Sequence, residues 1–97
     1  MARFDVFLPR RGMLLMDVQA DRMREISTRI VVPLIRVENG HVHDGYSPVF
    51  EIAGVARAMA THLLFSTQAR RLGAPLGNLA QHRDDITRAL DLLFTGF

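Results

Sequence analysis

The chain is expected to fold as one α+β domain, a mainly antiparallel sheet closed by a C-terminal helix. Three observations carry that expectation. The last sixteen residues, HRDDITRALDLLFTGF, place Ile86, Ala89, Leu90, Leu93 and Phe97 at helical spacing, the pattern of one apolar stripe facing a core. Upstream, short β-branched and apolar runs alternate with Gly, Pro, Asn-Gly and Asp-Gly turn signals, the pattern of hairpin-connected strands. Ninety-seven residues with 48% hydrophobic and 23% charged composition suit one small globular domain.

Taken in order, residues 3–8 (RFDVFL) alternate Phe4, Val6 and Leu8 against Arg3, Asp5 and Phe7, the period of a half-buried strand, and residues 9–12 turn it. Residues 13–19 (MLLMDVQ) read as its hairpin partner. Residues 20–28 are polar and read as an exposed loop. Residues 29–37 (RIVVPLIRV) form the most apolar β-branched run, and Pro33 inside it removes a ladder donor, which marks an edge or a bulge. Asn39-Gly40 and Asp44-Gly45 bracket His41-Val42-His43 as a short ribbon, and residues 48–53 return as a strand. Residues 68–77, with Gly73, Pro75 and Gly77, read as loop with one short strand. The final helix is expected to begin near His82, with Asp84 and Asp85 complementing its dipole and Asp84, Arg88 and Asp91 spaced for pairing on the far face.

The ending from Leu92 to Phe97 carries no charge, so it is expected to be buried or to meet a partner. Gly96 suits a helix stop that frees Phe97 to turn away. A chain this short leaves much of its surface exposed, and a homodimer that buries more apolar area is expected, with Leu92, Phe94 and Phe97 at its interface.

Composition bounds function. No cysteine means neither a disulfide framework nor a thiolate metal site. No run has the length of a membrane span, residues 3–8 are too short and polar for a signal peptide, and a cytoplasmic location is expected. All twelve basic residues are arginine against ten acidic ones, so the formal charge is only +2 although the sequence pI is 10.4. The arginines are dispersed, whereas a nucleic-acid footprint is a denser basic patch, so direct DNA or RNA binding is not expected. His41 and His43 could place two metal ligands on one strand face, but zinc takes at least three protein ligands, and neither a metal nor any other cofactor is expected. His62, Arg70 and Arg71 with Asp84 are the residue types of acid/base RNA cleavage, at loose spacing. There is no phosphate loop, nucleophile elbow or paired-carboxylate signature, and no catalytic residue is assigned. The pattern is that of a binding module, not an enzyme.

Read in order, LLMDVQAD, RIVVPL, YSPVFEIAG and DITRALDLLFTGF resemble the CcdB toxins of bacterial toxin-antitoxin modules, over essentially the whole chain. The most specific pieces are Asp17-Val18-Gln19 after an apolar strand, the Val31-Val32-Pro33-Leu34 run, and a last helix ending Phe-x-Gly-apolar. The resemblance implies an SH3-like barrel with a C-terminal helix, and it is this resemblance that places a strand over residues 53–64, where alanine-rich sequence favours helix. It also implies a homodimer with the helix ends near the two-fold axis. The implied target is the DNA gyrase A subunit, whose cleavage complex such toxins trap without chemistry of their own. A CcdA-like antitoxin, disordered until bound, would neutralise the toxin and form a DNA-binding repressor with it. The family's gyrase contact is a closing Trp-Gly-Ile, positions that here are Thr95, Gly96 and Phe97. Thr95 departs from that pattern, as do Arg22-Met23-Arg24 from Ile-Ile-Asp and Asp91 from asparagine. Two alternatives stand beside a gyrase-directed toxin: a non-poisoning member that binds antitoxin, and an endoribonuclease toxin on the same barrel using His62 and Arg70.

Overall fold

The computed structural model of the chain describes residues 1–10, 13–37 and 45–96. Among these are seven strands, β1 Asp5–Arg10, β2 Met13–Asp17, β3 Thr28–Arg36, β4 Val49–Ile52, β5 Val55–Met59, β6 Phe65–Gln68 and β7 Gly77–Asn78, and one helix, α1 Arg83–Thr95. All pairings are antiparallel in the order β4-β5-β3-β2-β1-β7, with β6 added on β3. The curled sheet and terminal helix make an α+β, SH3-like barrel, as the sequence and its family resemblance led us to expect.

Strand β3 is the hub. One edge takes β2, with Met16 opposite Val32; the other takes β6 over residues 28–31 and then β5 over residues 34–36. Pro33 sits at that changeover, where a missing N–H interrupts neither ladder, and its carbonyl accepts the Ala60 N–H at 2.9 Å. The edge or bulge expected at Pro33 is therefore a hand-over between two neighbours on one side of a central strand.

Because side chains alternate across a strand, β1, β2 and β3 contribute to two apolar clusters. Val6, Leu14, Met16, Val32 and Leu34 join Phe4, Phe50, Met59, Leu79, Ile86 and Ala89 in the main core under α1. Phe7, Leu15 and Val31 face the other way and close under Leu72. This corrects the reading of residues 3–8: Phe7 is fully buried and Leu8 is 48% exposed. Alternation was right, but a sheet covered on both faces buries both phases. Phe4 precedes the regular strand with φ of 74°; its N–H donates to the Asp17 carbonyl and its carbonyl accepts from Leu79, which holds the ring in the core.

Strand β4 turns into β5 through Ala53 and Gly54, at φ of 52° and 79°, the two left-handed positions of a tight hairpin. The single strand expected over residues 53–64 is corrected accordingly: β5 ends at Met59 and a 3-10 turn, Thr61–Leu63, follows. Thr61 is fully buried and its hydroxyl donates to the Tyr46 carbonyl, which draws the chain out of the sheet. Residues 68–77 hold another 3-10 turn, Ala69–Arg71, and the start of β7, while the neighbouring strand β6 begins earlier, at Phe65. The turn at residues 11–12 and the His41-Val42-His43 ribbon with its Asn39-Gly40 signal lie outside the described residues.

A 3-10 turn, Ala80–His82, leads into α1, so the helix starts one residue after His82. Asn78 organises this entry: its Oδ1 accepts the Ala80 N–H at 2.8 Å, and its Nδ2 donates to the Arg3 carbonyl and to Asp5 Oδ1. Ile86 and Ala89 are fully buried, Leu90 packs partly buried against the core, and the His82 ring lies 4.8 Å from that of Phe50. Leu93, expected in the core, is 38% exposed. Periodicity defines a face but not how far the opposing layer extends along it. On the outer face Arg88 reaches Asp85 at 4.0 Å in place of the expected pairing with Asp84 and Asp91; both partners are solvated, so the pair contributes little.

Candidate partner-binding surface

The exposed end of α1 is the place where sequence and structure point to a partner. Gly96 adopts φ of 81°, and its N–H donates to the Leu92 carbonyl at 3.0 Å, a left-handed stop that any residue with a Cβ would strain. The helix therefore ends where the spacing predicted. Just before that stop Phe94 is 69% exposed beside Leu93, and Leu63 on the 3-10 turn packed against α1 is 49% exposed. Exposed side chains this large and apolar are the usual composition of an interface centre.

The two site assignments made from sequence separate here. Of the two expected dimer residues that are described, Phe94 is 69% exposed, whereas Leu92 is half buried and its Cδ2 lies 3.6 Å from the position a Cβ on Gly45 would take. Of the expected gyrase-contact residues, Thr95 and Gly96 are both exposed. The Thr95 Oγ1 donates back to the Asp91 carbonyl at 2.6 Å, so the hydroxyl is turned along its own helix. Phe97, assigned to both groups, lies outside the described residues. Sequence reasoning missed Leu63, because its run was read as strand, and misplaced Leu93. An apolar residue beyond the last buried turn is the signal that could have found Leu93.

The residues considered for RNA cleavage are not joined by any hydrogen bond or ion pair among the described residues. His62 meets Tyr46 edge to face at 6.4 Å, Arg70 donates from Nε to Gln68 Oε1 at 2.8 Å, and Asp84 is exposed on the first turn of α1. Among the described residues no group of three His, Asp or Glu side chains could hold a metal ion; His41 and His43 lie outside them. Among the described residues no helix is long and apolar enough to cross a membrane.

A second constellation is structural. Arg29 and Asp17 form a buried ion pair at 2.6 Å, with Asp17 Oδ1 accepting the Gln19 N–H and Gln19 Oε1 accepting the Ile30 N–H. The Asp17-Val18-Gln19 motif thus ties the end of β2 to the start of β3.

The family model described as CcdB protein matches residues 3–96 of the chain. No curated protein matches it.

Proposed function

The chain belongs to the CcdB family, the toxins of toxin-antitoxin modules, and on that premise we propose that it is a homodimeric toxin directed at the DNA gyrase A subunit. In this reading it traps the covalent gyrase-DNA complex by binding alone, acts in the cytoplasm, and is held inactive by a CcdA-like antitoxin through which it also takes part in repressing its own transcription. The observation that supports it best is the apolar end of α1, where Leu93 and Phe94 stand exposed beside the Gly96 stop. That end would serve two contacts: Leu92, Phe94 and Phe97 toward the second protomer, and Thr95, Gly96 and Phe97 toward gyrase.

Thr95 sets the strength of the second contact. A buried aromatic anchor at an interface is commonly worth about 2 kcal/mol or more, roughly thirtyfold in affinity. A threonine whose hydroxyl is folded onto the Asp91 carbonyl supplies neither stacking area nor an indole N–H. We therefore expect weakened poisoning of a standard gyrase. The experiment is accumulation of gyrase-DNA cleavage complexes with the native protein and with Thr95→Trp. The variant should trap complexes at roughly thirtyfold lower concentration, with little change in melting temperature because position 95 is exposed. Equal trapping by the two proteins would show that residue 95 is not the anchor. No trapping by either would favour the second reading, a non-poisoning member that only binds antitoxin. Nothing in the placement of His62 and Arg70 favours the endoribonuclease alternative.

A further inference from the structure

Two guanidiniums converge on one aromatic ring where residues 2–4 meet the start of α1. Arg3 and Arg83, from opposite ends of the chain, place their guanidinium carbons 4.8 and 5.9 Å from the centre of the Phe4 ring. Both line a cavity of about 510 Å³, within the size range of small-molecule sites, whose other walls include the short side chains of Ala2, Ala20 and Ala80. Among the described residues neither guanidinium is in an ion pair; Arg3 Nε donates to the Val18 carbonyl at 3.1 Å, and Arg83 is exposed. Attraction to the ring brings the two like charges together, and an anion between them would relieve their repulsion.

The backbone holds this arrangement. Phe4 has φ of 74°, a left-handed conformation that a bulky residue rarely adopts, and it is fixed there by the Asp17 carbonyl on its N–H and the Leu79 N–H on its carbonyl. Asn78 Nδ2 donates to the Arg3 carbonyl at 3.0 Å while its Oδ1 accepts the Ala80 N–H, which ties the segment bearing Arg3 to the one leading into α1. Asp21 is the one acidic residue among the described residues lining the cavity. Its Oδ1 accepts the Arg3 backbone N–H at 2.7 Å, and the second oxygen of the carboxylate suits a ligand hydroxyl. Two guanidinium forks match the oxygens of one phosphate. A carboxylate at the same cavity repels a polyanion such as nucleic acid and favours a ligand with a single phosphate and hydroxyl donors.

We propose that this cavity binds a small phosphate monoester with a hydroxylated body, such as a sugar phosphate, its phosphate between Arg3 and Arg83 and a hydroxyl on Asp21. The site lies at the opposite end of α1 from Phe94, and the inference does not depend on gyrase being the toxin's target.

The test is isothermal titration calorimetry with ribose 5-phosphate, inorganic phosphate and ribose. Ribose 5-phosphate should bind at least about fivefold more tightly than inorganic phosphate, its affinity should fall with added salt, and ribose should not bind. Arg3→Gln and Arg83→Gln should each weaken ester binding at least about tenfold; Arg3 packs on Phe4, so the exposed Arg83→Gln decides the matter if Arg3→Gln does not fold. Ribose 5-phosphate should also raise the melting temperature of the native protein and leave that of Arg83→Gln unchanged. Arg88→Gln, exposed and outside the cavity, should bind as the native protein does. Asp21→Asn should narrow the gap between ester and inorganic phosphate to about twofold or less. No binding of the ester, inorganic phosphate binding as tightly as the ester, or indifference to Arg83→Gln would overturn the proposal. So would a short duplex DNA that displaces ribose 5-phosphate and binds more tightly.

Discussion

Removing one partner of the buried Asp17–Arg29 pair should destabilise this protein more than removing both. The two side chains are 0% and 1% exposed, joined from Arg29 Nε to Asp17 Oδ2 at 2.6 Å, and the remaining contacts are to the Gln19 backbone: its N–H on Asp17 Oδ1 and its carbonyl near Arg29 Nη2 at 3.4 Å. Arg29→Met leaves a carboxylate in the sheet with one N–H donor, and Asp17→Leu leaves a guanidinium with one carbonyl. Stranding one charge of a buried pair typically costs about 3 to 5 kcal/mol, against a total of about 5 to 15 kcal/mol for a domain, so either single variant should lose about a fifth or more of its stability. Replacing both with Leu and Met removes the desolvated charges together, and the double variant should be more stable than either single one by about 2 kcal/mol or more. Urea unfolding is best followed by far-ultraviolet circular dichroism, since the chain has no tryptophan and one tyrosine. If the single variants each lose less than about 1 kcal/mol, or the double loses the sum of the two, the pair is not the coupled buried unit described.

Ile86→Ala should cost about 2 to 5 kcal/mol and Leu90→Ala less, because Ile86 is fully buried and Leu90 only partly; equal urea midpoints would contradict that ranking. Ala53→Asn should gain up to about 1 kcal/mol, since alanine is strained at φ of 52° and asparagine tolerates it, and an unchanged or lower melting temperature would refute this account of the turn. Phe94→Asp should convert a dimer to monomers at micromolar concentration by light scattering without loss of secondary structure; a native protein that is already monomeric there would defeat the dimer proposal.

The sequence by itself carried the architecture. Alternating and β-branched apolar runs between turn signals located β1 to β4, the helical stripe located α1 to within a residue of its start, and Gly96 marked its end, because each depends on local backbone preference and on the spacing of apolar residues. Those signals do not say how many layers cover an element. Phe7 is buried because Leu72 and Leu15 close the second face of the sheet, and Leu8 is exposed although it shares the phase of Val6. Leu93 keeps the period of Ile86 and Ala89 yet is 38% exposed where those two are fully buried. The alanine-rich stretch became a hairpin, a strand and a 3-10 turn, as ladder bonds to β3 and β4 outweighed helix propensity. Arg29 is one of twelve dispersed arginines in the sequence and becomes half of a buried pair, because only the register of β2 on β3 brings it to Asp17. Burial, partnership and charge pairing are properties of what lies across the fold, and residues twelve or more apart in the chain meet only once tertiary packing has chosen their neighbours.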